Sequence, residues 1–106
     1  MNINCKIKLK NLKGEDLMVS EGEVLTLGTA LGNILSSGEE GGKMKCFILA
    51  TKFASNDSVE VDTADFALIK SMTKSTKIYT ALVAGQVEQM LEEFEILNKP
   101  NGETSK

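Results

Sequence analysis

The residues that could do chemistry are few and scattered. Asp62 and Asp65 lie close enough to share a proton or a cation. Yet Asp62 directly precedes an apolar-periodic run, and Asp65 falls at the capping-box position three residues on. Both charges suit the positive end of a helix, so capping accounts for the pair. The run S-S-G-E-E-G-G-K-M (residues 36–44) suggests a phosphate cradle around Gly41, Gly42 and Lys43. It departs from the phosphate-binding loop where it matters. Ser37 stands in place of the first glycine, Met44 in place of the magnesium-holding hydroxyl, and Glu39 and Glu40 repel phosphate. Gly42 and Lys43, with Lys74 and Lys77 near a later turn, remain the candidate ligand contacts.

Two further groups could meet a partner. Lys6, Lys8, Lys10 and Lys13 form a basic stripe, but no aromatic residue is interleaved for base stacking, and a solvated strand face explains them. Glu88, Glu92, Glu93 and Glu95 load the end of the last helix with acid, against its dipole, which invites a basic partner. Gln86, beside Gly85 at the start of that helix, is a polar side chain on a packing face and needs hydrogen-bond partners. Gln86 and the four glutamates are the candidate partner-binding residues.

Absences narrow the function classes. The chain has no His, which removes Ser/His and Cys/His catalysis and the imidazole zinc sets. All 12 basic residues are Lys, so no guanidinium fork is present to read guanine or grip phosphate. With no Trp and a net charge of −3, sequence-specific nucleic-acid binding is disfavoured. Cys5 and Cys46 are isolated and read as buried thiols. No catalytic residue, metal set or cofactor is expected. No secretory signal or membrane span is visible, and a cytoplasmic location is expected.

The elements that must position these residues are clearer. A chain of 106 residues predicts one domain, burying about two-thirds of its unfolded surface. Ile3, Cys5, Ile7 and Leu9 alternate with Asn4, Lys6, Lys8 and Lys10, the pattern of a half-buried strand. A turn at Asn11–Gly14 and a weaker return strand, Glu15–Val19, complete an expected hairpin over residues 1–19. Leu27, Ala30, Leu31, Ile34 and Leu35 predict a first helix to Ser36, N-capped by Thr26. Gly28 and Gly32 on it admit a close backbone approach or weaken it. The apolar arc of Met44, Cys46, Phe47, Ile48, Leu49, Ala50 and Phe53 predicts a second helix, Lys43–Ala54, central in the core. Asn56-Asp57-Ser58 reads as a turn rather than a glycosylation site. Val59–Val61 is extended, a third helix follows Asp62, and Lys70, Lys74 and Lys77 suit its C-terminal end. Val83, Val87, Met90, Leu91 and Phe94 stripe a fourth helix, about Thr80–Leu97, and residues 98–106 read as a disordered tail. The fold class is therefore α+β: an N-terminal β-hairpin followed by about four helices around one core, in a single domain over 1–97.

The succession L-A-T-K-F (Leu49–Phe53), V-E-V-D-T-A-D-F-A-L-I-K (Val59–Lys70) and A-L-V-A-G-Q-V-E-Q-M-L (Ala81–Leu91) resembles a group of small proteins encoded by bacteriophages and prophages. Their course is a basic strand or hairpin, a Leu-rich helix, an L-A-x-K-I helix, a V-E-L-S-x-E-E-I-x-x-I-K segment and a helix opening on L-V-x-G-Q. Asp62 stands where that group usually has Ser, and Phe53 where Ile is common. The resemblance spans about residues 25–94. It implies phage origin and this fold, and it brings no catalytic residue.

Three functions follow as expectations, none of them enzymatic. The first is a phage accessory protein that binds a host or phage protein. The second is a nucleotide-binding or nucleotide-sequestering oligomer, and the third a nucleic-acid-binding regulator. A homodimer is suggested by the apolar breadth of the second and fourth helices and by the Gly28/Gly32 notch.

Overall fold

The computed structural model describes residues 1–20, 22–38 and 42–97. In chain order the elements are β1 (Asn2–Asn4), β2 (Met18–Ser20), β3 (Glu23–Val24), α1 (Leu27–Ser37), α2 (Lys43–Ser55), β4 (Ser58–Glu60), α3 (Thr63–Ser75) and α4 (Ala81–Leu97). The expected tail and residues 39–41 lie outside the described residues. The class is α+β, with short antiparallel strand pairs beside four packed helices. Among the described residues no helix is long and apolar enough to cross a membrane.

Burial in the first ten residues follows the period of two. Ile3, Cys5 and Leu9 are buried and Ile7 is half-buried, while the alternating Asn and Lys residues face water. The pairing differs from a plain hairpin. β1 pairs antiparallel with β4, Ile3 opposite Val59, across 56 residues of register separation that no local turn signal reveals. Only the second half of the basic segment turns back on itself, where Lys10 bridges Asp16. There the backbone closes a ring. Leu17 N–H donates to Leu9 C=O (2.9 Å), Leu9 N–H to Leu25 C=O (2.9 Å), and Leu25 N–H to Leu17 C=O (2.7 Å). Three segments thus satisfy one another and leave no open edge at that level.

The ring leads directly into α1. Thr26 Oγ1 accepts from Thr29 N–H (3.3 Å), as an N-cap should. The next orphan donors are met by the first strand: Leu27 N–H by Ile7 C=O (2.7 Å) and Gly28 N–H by Cys5 C=O (3.0 Å). Leu27, Ala30, Leu31, Ile34 and Leu35 are all buried. α1 packs on α2, α3 and α4, so it is the central helix.

This corrects the expectation for α2. Its Cys46, Leu49, Ala50 and Phe53 are buried, but Met44, Phe47 and Ile48 face water. The apolar arc is wider than one contact face can cover, and α1 takes the centre because its glycines let α2 approach closely. A Cβ on Gly28 would lie 2.7 Å from Phe53 C=O and 2.7 Å from Cys5 Cβ, and one on Gly32 would lie 3.3 Å from Ala50 C=O. The Gly28/Gly32 notch receives the first strand and α2 of the same chain.

The cap of α3 forms as its sequence requires: Asp62 Oδ1 accepts from Asp65 N–H at 2.7 Å. Asp65 does more than cap. Its carboxylate reaches Lys45 on α2 at 2.6 Å and ties the two helices together.

Candidate functional site

Gln86 is held by the hairpin. Its Oε1 accepts from Lys10 N–H (2.8 Å), and its Nε2 donates to Lys10 C=O (2.5 Å) and to Leu82 C=O (2.7 Å). The side-chain amide thus copies a neighbouring strand and fastens α4 to the start of the turn. The turn itself is built on Asn11, whose Oδ1 accepts from Lys13 N–H (2.9 Å) and Glu15 N–H (3.0 Å).

The basic stripe is interleaved with acids. Lys6 pairs with Asp57 at 3.4 Å, Lys8 with Asp16 at 3.9 Å, and Lys10 also with Asp16. The Lys10 contact holds the Asp16 carboxyl below its ordinary value, with smaller help from the charge of Lys8. Cys5 and Cys46 are buried thiols not joined in a disulfide. Burial, then the charge of Asp57, pushes the Cys5 thiol up, so it stays protonated and unreactive at neutral pH.

The acids of α4 divide. Glu95 pairs with Lys70 of α3 at 2.7 Å, and that ammonium also lies 5.8 Å from the centre of the Phe66 ring. Glu88 and Glu92 line a small crevice with Lys70 and Lys74. Glu92 and Glu93 are exposed, next to exposed Ile96 and Leu97.

The four ligand-contact candidates do not meet in one place. Lys74 lies between α3 and α4. Lys77 borders a hollow between the ends of α1 and α3, with Ser37, Gly38, Met72 and Thr76. Gly42 and Lys43 open a third hollow along α2, shared with Met44, Lys45, Ile48 and Lys52. Gly42 sits at φ 94°, where a Cβ would be strained, and it starts the helix by accepting from Cys46 N–H at 3.1 Å. The Lys45 ammonium is held above its ordinary range by its hydrogen bond to Asp65 and by that carboxylate's charge.

The surface that sequence reasoning missed is the outer face of α2. Met44 is 77 % exposed, Phe47 68 % and Ile48 46 %. Their i, i+3, i+4 spacing makes one stripe. On its other flank, Phe47 overlooks a groove floored by Gly32, Ala50 and Ala54. The signal is the arc's breadth: seven apolar residues exceed what one contact face of a helix buries, so part of the arc must face outward.

Comparisons with protein-family models, curated proteins and solved structures return no match. Among the described residues no three His, Cys, Asp or Glu side chains gather where they could hold a metal ion.

Proposed function

We propose that this chain is a non-enzymatic interaction protein that docks a host or phage protein through the outer face of α2. The carrying observation is the contiguous exposure of Met44, Phe47 and Ile48 on a helix whose opposite face is anchored in the core. A stripe of large apolar side chains in water is unfavourable unless something covers it, and such patches mark interaction sites. The similarity of Leu49–Phe53, Val59–Lys70 and Ala81–Leu91 to phage-encoded proteins supports the setting, an infected or lysogenic cell.

A photo-crosslinking residue at position 47 tests the reading in such a cell. A discrete adduct is expected from position 47 and none from position 13, at the hairpin tip. Equal, diffuse labelling from both positions would remove the proposal.

A second reading, nucleotide sequestration, is favoured by the three lysines bordering one hollow, Lys43, Lys45 and Lys52. It predicts that a nucleotide at 100 times its dissociation constant adds about 2.7 kcal/mol of stability. A thermal shift that stays flat across nucleotides would set it aside.

A further inference from the structure

We infer that the segment docking on α2 is an amphipathic helix flanked by acidic residues; the inference rests on the docking role of α2 proposed above. Two observations lead there. The first is shape. Met44, Phe47 and Ile48 form a ridge at helical spacing, and hollows run along both of its sides. A ridge between two grooves matches the apolar face of a second helix laid alongside, with anchors at i, i+3 or i+4.

The second is charge. α2 carries Lys43, Lys45 and Lys52 and no acid, in a chain whose net charge is −3. Asp65 borders the same hollow and neutralises Lys45, which leaves Lys43 and Lys52 as the excess. Among the described residues that line the two hollows, Lys43, Lys45 and Lys52 stand against one acid, Asp65. Two α2 faces laid against each other would bring like charges together, which is destabilising. An occupant with glutamate or aspartate beside its apolar anchors satisfies both requirements. Among the described helices such a segment is the end of α4, with Glu92, Glu93, Ile96 and Leu97, which makes a second copy the competing occupant.

The test uses the whole chain and two synthetic helical peptides with identical leucine positions, one flanked by glutamate and one by lysine. Fluorescence anisotropy should show binding of the glutamate peptide only. Lys43→Glu with Lys52→Glu should weaken that binding about tenfold or more, as should high salt. Phe47→Ser should abolish it; because Phe47 is exposed, circular dichroism should stay native. Equal binding of both peptides, or indifference to the lysine reversals, overturns the acidic class. If Phe47→Ser still abolishes binding in that case, the docking face stands. Binding of neither peptide overturns the inference, and the position-47 crosslink then judges the docking role separately. Sedimentation of the protein alone supplies the last outcome. A dimer lost both with Lys43→Glu/Lys52→Glu and with Glu92→Lys/Glu93→Lys, and recovered on mixing the two variants, would assign the face to a second copy's α4 and overturn an external partner.

Discussion

Gln86 and Gly28 show how single residues set the architecture. Gln86 makes three hydrogen bonds with its amide, two of them to Lys10, which lies 76 positions away in sequence. That a glutamine at the head of α4 needs partners was legible; which backbone supplies them was not, because the pairing exists only once the chain has folded. Gln86→Ala should destabilise by about 1–2 kcal/mol, since each net hydrogen bond contributes about 0.5–1.5 kcal/mol and Lys10 regains water. Urea unfolding measures the loss, and faster hydrogen exchange at the Lys10 amide would localise it. Glycines divide in the opposite sense. A methyl at Gly28 meets Phe53 C=O and Cys5 Cβ, both at 2.7 Å and neither able to swing away, whereas one at Gly85 meets nothing within 4 Å. Gly28→Ala should therefore cost about 1–3 kcal/mol through overpacking. Gly85→Ala should gain up to about 1 kcal/mol from helix propensity. Equal effects in paired melts would refute this account of α1 against α2.

At the scale of elements, helices were legible and strand partners were not. Thr26, Asp62 and the apolar spacing placed α1, α3 and α4 within a residue or so of where they lie, since caps and periodicity are local. β1 carried the right alternation but found β4, because register is set by what both strands bury, Ile3 and Val59, rather than by proximity in sequence. The turn from Lys10 to Asp16 is a local pairing, as is β2 with β3, and the turn should be acid-sensitive. The folded state holds the Asp16 carboxyl below its ordinary value of 3.8, through Lys10 first. Its contribution is therefore present above that value and is lost as pH falls through the lower folded value. Asp16→Asn should remove that component. Compared with the parent, the variant should lose less stability between neutral pH and about pH 3. Parallel pH–stability curves for the two proteins would rule out the pairing as its source.

For the whole molecule, the uneven anchoring of α2 should govern how the fold opens. α1 buries its inner face from Leu27 to Leu35 and receives the first strand at its N-terminus, through Cys5 and Ile7 C=O. α2 is held on one side only, by Cys46, Leu49, Ala50 and Phe53, together with the Lys45–Asp65 pair. Helices that bury less apolar surface open at lower free energy than the core that they cover. The two thiols report on these regions without any added probe. Cys5 lies under the junction of the first strand with α1, and Cys46 lies on α2 against Met72 Sδ at 3.7 Å. Both are buried, so a thiol reagent reaches either only through an opening. At low denaturant Cys46 should label faster than Cys5, because peeling α2 away from α1 exposes Cys46 while Cys5 stays under the first strand. The two rates should converge near the global midpoint, where complete unfolding exposes both. Lys45→Met, which removes the tie to Asp65, should speed labelling of Cys46 and leave Cys5 almost unchanged. Mass spectrometry of the two labelled peptides resolves the rates. Identical rates at every denaturant concentration would mean that α2 leaves only with the whole core, and that its exposed face is presented on a helix as firmly held as α1.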